Sequence, residues 1–144
     1  MSKIAIDQVV VRPFIIADYP QVKEILTVGG LFYEPMDSLD KFEAKITRDP
    51  KSIFVAVAED KVVGTVSVME DGRMPFIFRL AVAQEFRKIG IGSKLMGIAE
   101  QELFDRDYKE IHILVEAENN DLQNYYEKIG YDKGNIYRWM AKER

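Results

Sequence analysis

The chain has 144 residues, no cysteine and a single histidine, His112. Without thiols there is no disulfide, no thiolate nucleophile and no cysteine-ligated metal, and no metal is expected. No apolar run approaches the roughly 20 residues that a membrane span requires. The first seven residues, Met1 to Asp7, hold no apolar stretch of signal-peptide length before their first acid. A cytoplasmic protein with no membrane partner is the expectation. Repeats, low-complexity tracts and Gly/Ser linkers are missing as well. Bases are in the minority, 20 against 24 acids, and the net charge of −4 argues against nucleic acid as a main partner. What remains is an ordinary globular balance, 47% hydrophobic and 31% charged, read as one domain over residues 1–144.

Periodicity predicts the elements in order. Residues 9–14 read as a short strand ended by Pro13. Asp18 is a candidate N-cap, Pro20 falls in the first helical turn, and Val22, Ile25 and Leu26 mark a helix stopped by Gly29 and Gly30. Residues 32–36 read as an irregular aromatic loop. Asp37 or Ser38 then caps a second helix carrying Leu39, Phe42 and Ile46. The period changes to two over residues 53–58 and 62–69, two strands joined by a turn at Glu59, Asp60 and Lys61. A turn over 70–73 leads to a strand over 76–82. A helix with Leu95, Ile98, Ala99 and Leu103 follows, then a strand over 111–115 and a helix over 122–129 with Gly130 past its end. Residues 131–133 and 136–141 read as a closing strand pair. Helices must cover a mixed, mostly antiparallel sheet with one parallel crossover, an α/β three-layer fold.

Between the strand over 76–82 and the helix after it lies Arg87-Lys-Ile-Gly90-Ile-Gly92-Ser93. Glycines at a helix start let the backbone approach a ligand, and unpaired N–H groups at the positive end of the helix attract an anion. The loop lacks the Gly-x-x-x-x-Gly-Lys-Ser/Thr pattern of a P-loop. Lys88 stands where a dinucleotide fingerprint needs its first glycine. A phosphate-bearing cofactor of another kind is expected, the alternative being a plain strand-to-helix turn with a solvated Arg87.

Two motifs, Leu80-Ala-Val82-x4-Arg87-x2-Gly90-x-Gly92 and Asn119-x6-Tyr126-Glu-Lys-Ile-Gly130-Tyr131, stand in this element order. Together they resemble the GNAT superfamily of N-acetyltransferases over residues 11–142. The resemblance implies acetyl-CoA (coenzyme A) as co-substrate. It implies a bulged strand whose main chain at Leu80, Ala81 and Val82 pairs with the pantetheine arm. The pyrophosphate is then expected on Arg87, Lys88, Gly90, Ile91, Gly92 and Ser93. An open strand edge suits a linear amide-bearing ligand.

Asn119 matches the family's asparagine that reaches the pantetheine arm, and it is equally a helix cap. Tyr126 matches the tyrosine near the thioester sulfur. A thiolate of thiol pKa about 8.5 needs only mild help from a phenol of pKa about 10. Core packing beside Leu122 and Ile129 is the other reading of Tyr126, and Tyr125 is packing. Many members of that family carry a base carboxylate on this strand, where this chain offers only Phe76, Phe78 and Arg79. Glu70 and Glu116 are therefore the candidate bases, beside Asp71 and Glu118, and each is also readable as a solvated loop acid. Phe32, Tyr33 and Glu34 are expected in the acceptor wall, with core packing as their alternative. Arg79, a charge in a central strand, needs a partner or an exit to water. His112 is read as structural.

The reaction expected is direct attack of a small-molecule or peptide amine on the thioester in a ternary complex. A non-catalytic acyl-CoA-binding regulatory module is the alternative, and a nucleotide-binding domain a third reading. A homodimer is compatible with the sequence.

Overall fold

A computed structural model of the chain describes residues 4–144. The chain divides into two compact units, the first ending at Ile113 and the second running from Leu114 to Arg144. A five-stranded sheet organises the first, in the order β1 (Val10–Pro13), β2 (Ile53–Ala58), β3 (Lys61–Glu70), β4 (Pro75–Val82) and β5 (His112–Ile113). Neighbours run antiparallel except β4 and β5, which are parallel. Helices α1 (Tyr19–Val28), α2 (Glu34–Asp37) and α3 (Leu39–Arg48) lie between β1 and β2 in sequence, and α4 (Ile91–Asp105) makes the crossover from β4 to β5.

Strands β2 and β3 are apolar on alternate and adjacent positions alike because both faces are covered. On one face Ile53 and Val55 pack with Val22, Ile25 and Leu26 of α1, Phe42 of α3 and Phe14. On the other, a Cβ at Gly64 of β3 would stand 2.9 Å from Leu95 and 3.2 Å from Ile91, so glycine there lets α4 press onto the sheet. The result is the expected α/β arrangement: helix layer, mixed sheet, helix layer. Fully burying a side chain such as Leu26, Leu95 or Leu103 contributes about 2 kcal/mol. The β2–β3 hairpin closes through Glu59 and Asp60, both left-handed with φ of 52° and 61°, the geometry that matches strand twist.

Several expectations are corrected. Asp18 stands at the start of α1 but its buried carboxylate does not cap it. It accepts a fork from Arg12 at 2.8 and 2.9 Å and the N–H of Ile15 at 2.9 Å, fastening β1 to the turn that follows it and leads into α1. Residues 34–37 form one helical turn rather than irregular loop. Ser38, and not Asp37, caps α3 by accepting from the Lys41 N–H. The strand expected over 111–115 is only two residues long, His112–Ile113, paired with Phe76 and Ile77.

The second unit contains α5 (Asn120–Lys128). The closing strands expected over 131–133 and 136–141 are not formed, and Ile136, Tyr137, Trp139 and Met140 are exposed. Alternating residues make a strand only where a ladder partner takes their backbone groups, and a lone hairpin is marginal in water. The end of α5 does follow the sequence: Gly130 takes φ of +109°, its N–H bonds Glu127 C=O, and the Tyr131 N–H bonds Tyr126 C=O at 3.0 Å.

Candidate functional site

Strand β4 carries a bulge. Thr65 pairs with Ala81 and Ser67 with Phe78, so Arg79 and Leu80 together oppose Val66. Pairing of β4 with β5 stops at Ile77, leaving the far edge of the strand without a ladder over Leu80, Ala81 and Val82. Ala83 donates its N–H to Val63 of β3 at 2.8 Å, so the Val82 carbonyl points the opposite way, to the open edge. Arg87 Nε donates to that carbonyl at 3.0 Å.

The chain then turns through Gln84–Phe86 into the helix start. Lys88 and Gly90 are left-handed, φ +70° and +100°, and Gly90 is the residue for which glycine is required. The first helical bond runs from the Lys94 N–H to Gly90 C=O at 3.0 Å, which places Ile91 and Gly92 in the turn where N–H groups lack an i−4 carbonyl. A Cβ on Gly92 would meet only Val82 at 3.8 Å, so the space in front of this turn is open. One expectation changes: the Arg87 N–H closes the preceding turn on Gln84 C=O, and the residue offers its exposed side chain instead. Ser93 lies in the first turn of α4. An open edge running into an anion-attracting helix start fits a linear amide chain that ends in a pyrophosphate.

The expected acceptor wall lies at α2. Phe32 is half-buried with Lys23 Nζ 5.3 Å from its ring centre, whereas Tyr33 and Glu34 are exposed. Sequence reasoning missed Asp37, a buried carboxylate that Arg79 clasps with Nε at 3.2 Å and Nη2 at 3.0 Å. It also accepts the Tyr33 N–H at 2.8 Å, and Tyr19 donates to its main-chain carbonyl at 2.7 Å. Burial, then the charges of Glu34 and Asp37, raise the Tyr19 phenol above its ordinary pKa and keep it a donor. The one signal for this cluster in the sequence was Arg79, a charge in a central strand that needs a partner or an exit to water.

The candidate bases divide. Glu70 accepts a hydrogen bond from the Tyr108 hydroxyl, a partner the sequence did not reveal. Asp71 caps its own turn, accepting from Met74 and Arg73 N–H groups at 2.7 and 2.9 Å, and these bonds hold its pKa below the carboxylate norm. Glu116 and Glu118 are exposed in the second unit, and their main-chain carbonyls receive the Asn119 and Asn120 N–H groups. His112 packs on the Phe76 ring at 5.5 Å and lies 3.6 Å from Glu110. Lys45 of α3 donates to Val68 C=O at 2.6 Å and lies over the Phe78 ring at 5.1 Å. Burial pushes its ammonium down to about 8. No group of three or more acids or histidines is placed to hold a metal among the described residues.

In the second unit Asn119 is an N-cap, its side-chain oxygen accepting from the Leu122 N–H at 3.1 Å. Tyr126 is buried, edge-on to Tyr125 and Tyr131 at 5.4 and 5.7 Å. Burial first, then Tyr125, raises its pKa, so the phenol keeps its proton at neutral pH.

Residues 19–131 match the acetyltransferase (GNAT) family. Over 90 residues the chain is 32% identical to an acetyltransferase of Pectobacterium atrosepticum, a match covering 62% of this chain and 64% of that protein. The chain thus spans less than two thirds of that relative's length. The fold is similar to Ard1 from Thermoplasma volcanium, with a TM-score of 0.78, 21% identity and coverage of 89% of this chain and 85% of that one. It is similar to the PaiA N-acetyltransferase of Thermoplasma acidophilum, solved with coenzyme A, with a TM-score of 0.78, 18% identity and coverage of 90% and 92%. It is also similar to Naa50 of Arabidopsis thaliana bound to the bisubstrate analogue CoA-Ac-MVNAL, with a TM-score of 0.73, 25% identity and coverage of 89% and 85%.

Proposed function

The chain belongs to the GNAT acetyltransferase family, and from that premise we propose that it moves an acetyl group from acetyl-CoA to a primary amine of a small molecule or peptide. The observation that carries this is the unpaired edge of β4 beyond the bulge, continuous with the glycine loop and the α4 start. Leu80 and Val82 hold the pantetheine arm by main-chain bonds, with Ala81 between them paired to Thr65 of β3. Lys88, Gly90, Ile91, Gly92 and Ser93 receive the pyrophosphate, and the Arg87 side chain adds positive charge. Asn119 serves the arm as well as its helix. The family match crosses both units, which supports reading them as one transferase domain.

The thioester supplies an activated acetyl group, and this chain's residues do the rest. The outward N–H of Val82 is the donor for the carbonyl oxygen as charge builds there. Tyr126, with its proton retained, is the acid for the departing thiolate. Phe32, Tyr33 and Glu34 receive the acceptor. Deprotonating an amine of pKa about 10.4 at pH 7 costs about 4–5 kcal/mol, and Glu70 or Glu116 takes that proton directly or through water. The test is coenzyme A release with a panel of amines. Release that depends on the amine supports the reading, and tight acetyl-CoA binding without it refutes it.

A second reading, an acyl-CoA-binding regulatory module, draws on one observation. Strand β4 carries no carboxylate, and Glu70 beside it is already engaged by Tyr108. The same assay separates the two.

A further inference from the structure

We infer that Arg79 and Asp37 are a positioning pair that holds the acceptor loop, residues 31–37, in register with the cofactor strand and so sets the affinity for the amine. The inference rests on the acceptor role proposed for that loop. Arg79 has φ of +56° in the bulge, a conformation that long side chains avoid and that persists only where the surroundings enforce it. Asp37 is the enforcing group. Its carboxylate is only 6% exposed, and the guanidinium reaches it with two N–H groups, at 3.2 and 3.0 Å.

Asp37 binds more than the bulge. Its Oδ2 accepts the Tyr33 N–H, which closes the loop on itself, and its main-chain carbonyl takes the Tyr19 hydroxyl from α1. One residue therefore joins three segments: the start of α1, the loop and β4. The start of the loop is fixed otherwise, since Leu31 and Phe32 pack on the core and donate their N–H groups to Leu26 C=O at 2.8 and 3.2 Å. Beyond them Tyr33 and Met36 are 46% and 50% exposed, and the position of residues 33–37 follows from these polar ties. Arg79 spends Nε and Nη2 on Asp37 and acts on the amine through the loop. It is a positioning residue, not a catalytic one.

Three variants separate side chain from backbone. Arg79→Gly keeps a residue at home at positive φ and removes the fork. Arg79→Lys keeps the charge without bidentate geometry. The double exchange Arg79→Asp with Asp37→Arg restores opposite charges. The first readout is amide hydrogen exchange over residues 31–37, with acetyl-CoA affinity by calorimetry. The second is steady-state kinetics with putrescine, kanamycin and the pentapeptide Met-Val-Asn-Ala-Leu.

In Arg79→Gly, exchange over 31–37 should rise about tenfold while the acetyl-CoA Kd stays within about twofold. The amine KM should rise about tenfold with kcat nearly unchanged, Arg79→Lys should fall between, and the double exchange should recover part of the loss. Unchanged exchange overturns the pair. So does a Kd for acetyl-CoA that moves by the same factor as the amine KM. Wild-type protein that binds acetyl-CoA yet acetylates no amine defeats the transferase reading, and the exchange measurement then still decides the pair by itself.

Discussion

Lys45 offers the sharpest test of the packing between α3 and β4. Burial lowers its pKa from 10.5 to about 8 in the folded chain. The unfolded chain therefore holds the proton more tightly, and stability rises with pH through the window from about 8 to 10.5. Below that window both states are protonated and the whole penalty, about 3 kcal/mol, is present; above it the penalty is gone. The perturbation is Lys45→Met, which keeps the length of the stem and removes the titrating group. It also forfeits the bond to Val68 C=O and the attraction to the Phe78 ring, worth about 1 kcal/mol each.

These losses set the offset between variant and wild type, but the pH dependence of the difference comes from the proton alone. Urea unfolding at pH 7 and pH 10 measures it, because groups common to both proteins cancel. At pH 7 the variant should be as stable as wild type or slightly more so. By pH 10 it should be the weaker of the two, the difference having swung by about 2.5 kcal/mol. A difference that stays flat with pH would show that Lys45 titrates normally and that the ammonium is not desolvated in solution.

Tyr126→Phe should lower kcat by roughly ten- to a thousandfold while the acetyl-CoA Kd holds, because the proposed acid role calls on the hydroxyl only as charge builds on sulfur. Steady-state kinetics beside calorimetry checks this, with a melting curve to confirm the fold. Gly90→Val should abolish measurable acetyl-CoA binding by calorimetry, since a branched side chain is strained at φ of +100° and distorts the loop proposed to receive the phosphates. Arg106→Ala should cost about 2 kcal/mol in urea unfolding at pH 7, because it strips both the 2.7 and 3.0 Å bonds from Asp49 and the 2.9 Å bond from Glu102. The Arg106 hydrogen bond holds the Asp49 pKa down, so that contribution is present at neutral pH and fades as acid protonates Asp49; repeating the measurement near pH 3 shows it.

Local physics made most of the architecture readable. The step from period two at residues 53–69 to helical spacing at Leu95, Ala99 and Leu103 gave the sheet and its crossover helix, because each side chain there answers only to the face it buries. The loop from Arg87 to Ser93 was equally plain, since glycine at a left-handed position is a property of the residue itself. The closing strands failed for the converse reason. Residues 136–140 alternate well enough, but a ladder is a property of two segments, and the second unit forms none there. The length of β5 was misjudged on the same ground: its partner strand bulges at Arg79, and pairing ends with Ile77 and Ile113.

The site shows the same division at finer grain. Asp37 reads locally as a helix cap, and nothing within ten residues of it announces a guanidinium from 42 residues away. Arg79, by contrast, announced a need: a charge inside a central strand requires a partner or an exit to water. That reasoning marks the residue to watch, while the choice between water and one of 24 acids is made by the fold, which supplies Asp37. The choice then feeds back on function. Strand β4 carries no carboxylate, and its one charge, Arg79, is tied to Asp37 at the end of α2. Under the proposed transfer, proton removal would fall to groups off the strand, and the strand's own contribution would be geometry, holding the proposed acceptor loop and the open edge on one element.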